Sequence, residues 1–400
     1  MKTASGLAES QKNLRLPFAV AIFCATFNFG LAVLNAVAGS VNTTVVTLVQ
    51  VLATSMVVAC LFKYRARVSL GYLYVVVGVA SSWVMVSAYK GSHDLSGLYG
   101  AVSVPIFVIF GTLFRPFPTR WLMRFVLVVL AIAIFETVLP NLYVAIANPL
   151  SYYRATRAWV AAQQAADSDG LYVGAIRAGG SVFSFFNHHR AGSIFLEPLS
   201  LGYFASISFI LFSVLYRGQG RRLFSAFCAC VLMSLLADTR ISTLIIVLTM
   251  ALMVVRRPPA IATWTMIAVV YVGGYLAYQW IGKWGGDLAY RLSLSYESFA
   301  NASFGQWLAG DLRVLTLGDS GLVSMLGNYG LIGFALFMVA ALNLLDIAWL
   351  RSSHAPVAIA LYFCVASLFG SAMLSIKTSI FLGIAVGALG KLPSRSISHA

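Results

Sequence analysis

An all-α, polytopic integral membrane fold of about 12 helices is what this sequence predicts, and three observations predict it. The composition is the first. Of 400 residues, 60% are hydrophobic and 10% charged, with a mean hydropathy of +0.87. A soluble domain carries about 25% charged residues. The second is a series of apolar runs of roughly 17–25 residues, the length that crosses a bilayer core. The third is the distribution of charge. The chain holds 27 Lys+Arg against 12 Asp+Glu, net +15, and a topology with both termini inside puts 17 of those cations and 2 of the acids on the inner side. The outer side is then neutral and the whole excess lies on one face, as the positive-inside rule requires. The basic pI therefore needs no nucleic acid to explain it.

The runs lie at about 16–37, 41–62, 68–88, 94–114, 118–139, 194–216, 222–237, 239–255, 260–281, 319–345, 355–373 and 378–391. The first is too long for a signal-peptide core and lacks a small-residue cleavage site, so it reads as a retained helix. The runs 222–237 and 378–391 are short, and pairs of short runs also occur as broken or re-entrant helices. Inner connections are short, basic and marked by Pro or Gly, as in Arg115-Pro116-Phe117-Pro118 and Arg256-Arg257-Pro258-Pro259. They read as turns. The five cysteines (Cys24, Cys60, Cys228, Cys230, Cys364) all fall inside apolar runs, which implies packing and no disulfide framework. Residues 1–400 read as one membrane domain without internal repeats.

Two outer loops are much longer, 140–193 and 282–318. Loops beyond about 12–15 residues in a compact unit are usually functional. In the first, Tyr152 to Ala166 has good helix formers and one apolar-aromatic face, followed by Gly170, Gly174, Gly179 and Gly180, a hinge suited to admitting a bulky substrate. The second carries Lys283, Asp287, Arg291, Glu297, Asp311 and Arg313 among Trp and Tyr residues. Those aromatics suit either an interfacial belt or stacking on sugar rings.

Three constellations concentrate chemistry. The densest is Asn187-His188-His189-Arg190-Ala191-Gly192-Ser193-Ile194-Phe195-Leu196-Glu197-Pro198, where the first loop runs into a span. Pro is tolerated in the first helical turn, which sets Glu197 at the helix N-terminus beside unpaired N–H groups. There Glu197 either caps its helix and pairs with Arg190, or positions or activates an acceptor hydroxyl while Arg190 binds phosphate. Adjacent His188 and His189, with Asp167 and Asp169, make a poor metal site, because neighbouring side chains point apart and no further His or Cys with ligand spacing lies outside. His189 is kept as an interfacial polar group. The second is Ala237-Asp238-Thr239-Arg240, a tight outer turn in which Arg240 begins a helix, where a cation opposes the dipole. That misfit marks an anion ligand. The third is Gly318-Asp319-Ser320-Gly321, opening a helix that continues through Gly327-Asn328-Tyr329-Gly330. Asp319 is either an ordinary N-cap or a general base.

In this order, on such a helix array, Arg190-x-x-Ser-x-Phe-x-Glu-Pro, Asp-Thr-Arg and Asp-Ser-Gly with a later Gly-x-x-Gly resemble bacterial O-antigen and exopolysaccharide polymerases, a group that includes the O-antigen ligases. The resemblance covers most of 100–390. It implies metal-independent, cofactor-free, inverting glycosyl transfer at the periplasmic face of the inner membrane, from a saccharide on undecaprenyl pyrophosphate to a hydroxyl of another saccharide. It also implies membrane lipid, a chain-length regulator and export proteins as partners. Under it, Arg190, Arg240 and either Arg291 or Arg313 neutralise the pyrophosphate, His189 adds a polar contact, and Asp319 or Glu197 is the base. Ligases of the group commonly have a His opening the motif that here begins at Asp319. Its absence favours a polymerase. The alternatives are ligase-type transfer of finished glycan and a lipid-linked saccharide flippase; against a flippase, this chain lacks the paired halves expected of a transporter and its charges cluster on one side.

Overall fold

The computed structural model describes residues 14–39, 41–66, 68–91, 95–157, 160, 170–172, 174–175, 189–255, 258–281, 287–312 and 320–390. All regular structure among them is helical. Each of the twelve apolar runs carries a helix, and seven helices are long and apolar enough to cross a membrane. The two runs read as short are short: Gly220–Leu236 has 17 residues and Ile376–Leu389 has 14. The chain is a helical, multi-pass membrane protein. Two compact units divide it, one of residues 1–60, 116–250 and 376–381, the other of 61–115, 251–375 and 382–400.

In the first unit, proline sets the helix starts. Pro140, Pro149 and Pro198 each occupy a first-turn position of their helices, Pro140–Ala147, Pro149–Thr156 and Pro198–Leu215; the missing N–H would have no partner there anyway. The helix expected over 152–166 therefore begins earlier. Asn148, at φ 37°, accepts from the Ser151 N–H and starts it at Pro149. It is described as far as Thr156; residues 158–159 and 161–169 lie outside the described residues. Tyr152 Oη donates to Asn28 at 2.6 Å and Asn35 to Ser151 at 3.2 Å, fastening this helix to Arg15–Ala38. Gly170 holds it from the other side, accepting from Leu150 N at 3.0 Å. Of the expected glycine hinge, Gly179 and Gly180 lie outside the described residues.

Helix Pro198–Leu215 is the most enclosed of the seven, 83% buried along its apolar window. Small residues permit that. A Cβ on Gly202 would stand 2.2 Å from Thr239 Oγ1 and 2.5 Å from Ser242 Oγ, and Ser206 Oγ donates to Ser242 O. Small side chains let helices in membranes approach closely, where dispersion rather than the hydrophobic effect drives packing. Phe125, Phe195, Phe204 and Phe381 fill the space beside them, with ring centroids 4.9–5.7 Å apart.

In the second unit, Gly321–Leu342 packs along Leu70–Lys90 and is broken at Gly330, whose φ of 65° and ψ of 179° leave the helical region. Lys90 Nζ donates to Gly327 O just before the break, a cation at the carbonyl end of the first half-helix, where the dipole favours it. Within the second long loop lie Asp287–Ala300 and Phe304–Ala309, the latter started by a Ser303/Gln306 capping box. The five cysteines are free, four of them buried and Cys228 exposed.

Candidate functional site

The chain enters helix Pro198–Leu215 through a turn that departs from ordinary backbone geometry. Gly192 is right-handed, Ser193 sits at φ 51°, a 3-10 turn spans Ser193–Phe195, and Leu196 sits at φ 62°. Gly192 is sterically required, since a Cβ there would lie 2.5 Å from the Leu196 carbonyl carbon and 2.7 Å from Glu197 N. Left-handed non-glycine residues cost on the order of 1–3 kcal/mol each and persist only where their surroundings over-determine them. Here they do. Glu136 accepts from the N–H groups of Gly192 and Ser193, Tyr143 Oη donates to Ser193 O at 2.7 Å, and Ser193 Oγ donates to Val129 O at 2.8 Å.

Glu197 then occupies the N-cap position in extended geometry, but its side chain makes no capping bond. The carboxylate is turned toward two cations. Arg157 reaches Oε1 at 2.5 Å, Lys377 reaches Oε2 at 2.9 Å, and Ser200 Oγ donates to Oε2 at 2.9 Å. Lys377 Nζ also donates to Phe195 O at 2.9 Å and Tyr153 Oη at 3.3 Å, while the Arg157 guanidinium lies 4.3 Å from the centre of the Tyr153 ring. The Lys377 side chain is 1% exposed, Glu197 8% and Arg157 34%. Burial by itself raises the Glu197 carboxyl, but the charges of Arg157 and Lys377 outweigh it and hold the group well below the usual carboxylate range. Burial lowers the Arg157 guanidinium; the Glu197 charge overcomes that and keeps it protonated. Among the described residues two cations share one anion, so the set is net positive, and Arg157 is its open side.

The expected site residues fall as follows. The expectation that Glu197 caps its helix is corrected: Ser200, Arg157 and Lys377 engage its oxygens instead. Arg190 is buried, its Nε donating to Ala237 O and its Nη1 to Gly174 O, both at 3.1 Å. With Ala191 N on Leu236 O, it latches the loop to the Ala237–Arg240 turn. In that turn Asp238 is left-handed and buried, and Arg240 is exposed at the first position of Arg240–Leu252. His189 is buried beside Arg190.

Arg291 belongs to the second unit, where its guanidinium donates to Phe369 O at 3.1 Å. Arg313, Asp319 and His188 lie outside the described residues. The N-cap of helix Gly321–Leu342 is Ser320, accepting from Val323 N, so the capping role considered for Asp319 is filled one residue later. Ser320 Oγ is also 2.8 Å from Ser295 Oγ. Among the described residues no three His, Cys, Asp or Glu side chains group as metal ligands.

Arg157, Lys377 and Glu136 carry the geometry, and sequence reasoning gave none of them a role. The signals existed. Lys377 begins an apolar helix, the same opposition of cation and dipole that marked Arg240. Glu136 is the one acid within Thr119–Val138, and ionisable residues inside spans are functional by default.

Fold and site together define a class, a helical membrane protein that keeps a net-positive ionic set at the mouth of an enclosed apolar helix. No family model matches the chain, and no curated protein or solved structure matches it.

Proposed function

We propose that this protein polymerises saccharide units carried on undecaprenyl pyrophosphate into an O-antigen or exopolysaccharide at the periplasmic face of a bacterial inner membrane, with both termini on the cytoplasmic side. The observation that carries the reading is the net-positive group Arg157–Glu197–Lys377 at a helix mouth, with Lys377 buried and Arg157 partly open. Desolvated cations held by their surroundings stabilise charge that develops on a leaving group, often the largest catalytic contribution. The resemblance of the Arg190–Pro198, Asp238–Arg240 and Asp319–Gly321 segments supplies the substrate class.

In the reaction, an acceptor hydroxyl oxygen forms a bond to the anomeric carbon of the donor chain as the bond from that carbon to the lipid pyrophosphate breaks. The pyrophosphate leaves with the electron pair, and the hydroxyl proton passes to a carboxylate. Arg157 and Arg240 present guanidinium forks that suit bidentate phosphate contacts. Arg190 sets the turn that carries Arg240, and the resemblance adds either Arg291 or Arg313 as a further pyrophosphate ligand. A general base works best with a pKa near the operating pH. Glu197, held far below that by two cations, serves to fix Arg157 and Lys377, which leaves proton removal to Asp319.

The test is a deletion strain examined for surface glycan and lipid-linked intermediates. Single repeat units accumulating on the carrier support a polymerase. Long polymer left on the carrier indicates a ligase, and units confined to the inner leaflet a flippase. Arg240→Lys is expected to remove nearly all polymer at normal protein level, because an ammonium cannot fork, and chelator treatment to leave activity unchanged.

A further inference from the structure

Glu136 is buried to 3% exposure in the apolar helix Thr119–Val138, and among the described residues no cation pairs with it. Its partners are backbone donors. Gly192 N lies 3.1 and 3.0 Å from its two oxygens and Ser193 N lies 2.6 Å from Oε2. The reason is the backbone of the turn. A right-handed residue followed by a left-handed one, Gly192 at φ −103° and Ser193 at φ 51°, aims successive N–H groups to one side and makes a concave anion-binding nest. A nest facing apolar side chains would leave two donors unsatisfied, which is costly in a buried place. The carboxylate of Glu136 fills it.

We infer that Glu136 is a positioning residue: as the built-in acceptor of this nest, it holds the Gly192–Leu196 turn in the strained form that sets Phe195 O on the Lys377 ammonium. The connection runs through short, defined contacts. Glu136 binds the start of the turn, Tyr143 and Val129 fix its Ser193, and Phe195 O at its end receives Lys377 at 2.9 Å. Lys377 in turn holds Glu197 at 2.9 Å. Without the carboxylate, Ser193 and Leu196 relax toward ordinary φ values, the Phe195 carbonyl leaves the ammonium, and Lys377 loses one of the acceptors that bury it. Glu136 acts on the ionic set without touching it. The consequence for catalysis rests on the function proposed above; the geometric claim does not.

The experiment measures acylation of Lys377 by an amine-reactive reagent in the full-length protein in detergent, read by peptide mass spectrometry and normalised to exposed Lys63. Glu136→Ala is expected to raise the Lys377 rate at least tenfold. Glu136→Gln keeps one carbonyl oxygen able to accept both N–H groups, so it and the milder Tyr143→Phe are expected to raise the rate two- to fivefold. A parallel rise in alkylation of the buried Cys230 in Glu136→Ala would mean unfolding, and the two milder variants then decide. No change at Lys377 in either overturns the inference, as does an unchanged rate in a folded Glu136→Ala.

A second arm follows polymer formation from a lipid-linked donor. Glu136→Gln is expected to lower kcat, normalised to the concentration of folded protein, at least tenfold with KM within twofold; the normalisation is needed because loss of folded protein also lowers apparent kcat at unchanged KM. Unchanged kcat with Lys377 freed overturns the catalytic consequence. A wild-type protein that makes no polymer while Lys377 still responds to Glu136 removes the proposed function and leaves the positioning role standing.

Discussion

Glu136 and Glu197 are two carboxylates buried to nearly the same depth, one inside an apolar helix and one at the mouth of another, and they are stabilised in opposite ways. Glu136 rests on two backbone N–H groups; Glu197 rests on a guanidinium and an ammonium. Backbone donors are fixed by the fold and carry no net charge, so they satisfy the oxygens' hydrogen bonds and supply no counter-charge. Cationic side chains over-compensate it. Burying full charges is expensive even when paired, and replacing such a set by apolar groups is often neutral or stabilising. Hydrogen bonding to the turn accounts for the arrangement at Glu136, whereas hydrogen bonding alone does not account for two cations at Glu197. The second cation there is what the proposed function draws on.

This contrast can be broken by experiment. The largest effect is expected from Glu197→Gln, which strands Lys377 fully buried without a counter-charge. About 3–5 kcal/mol of unfolding free energy should be lost, read from denaturant unfolding in detergent. A loss below 1 kcal/mol would show that the ammonium finds another partner. Acid should act on the same group. Because the folded Glu197 carboxyl lies below its ordinary range, the stability it contributes is complete above the unfolded value of about 4.3. It is lost as pH falls below that value toward the folded pKa. In Glu197→Gln this acid-dependent loss should be smaller by the Glu197 contribution, which a pH series of melting temperatures measures.

Glu136→Gln is expected to cost less, about 1–3 kcal/mol, since one acceptor oxygen remains for the nest and no cation is orphaned. A loss equal to that of Glu197→Gln would erase the distinction between the two sites. The smallest effect belongs to Arg157→Ala. The side chain is one-third exposed, so solvent screens it and about 1 kcal/mol or less is expected in stability. Polymer output should nevertheless fall sharply if Arg157 faces the pyrophosphate.

Much of the fold was legible because its signal is local. Apolar runs and prolines are read residue by residue, so the helices appear where hydropathy puts them and Pro198 marks its helix start. The short helix Phe304–Ala309 was legible too, from Ser303 and Gln306, but hid inside a segment read only as a loop. The site was legible in part. The stretch Asn187–Pro198 does hold Glu197, whose carboxylate meets Arg157 and Lys377. Its partners were not visible, because Arg157 and Lys377 lie far along the chain and only tertiary packing brings them to it. Pairing Glu197 with Arg190 by proximity in sequence ignored the turn at 192–196. That turn depends on Ser193 and Leu196 adopting φ values no residue preference predicts, and on a carboxylate from another helix.

The span of chain between Phe195 and Lys377 has a consequence for biogenesis. The two are 182 residues apart, and translation at about 5–20 residues per second puts roughly 10–40 s between their emergence. During that interval helix Pro198–Leu215 must be handed to the bilayer with Glu197 unmatched by its ammonium, and Arg157, synthesised earlier, is the partner already at hand. Insertion of Ile376–Leu389 then brings Lys377 to the carboxylate as a late closing step. A ribosome stalled between these points should hold a nascent chain in which helix Pro198–Leu215 still exchanges with the translocon, and release into the membrane should coincide with the arrival of Lys377.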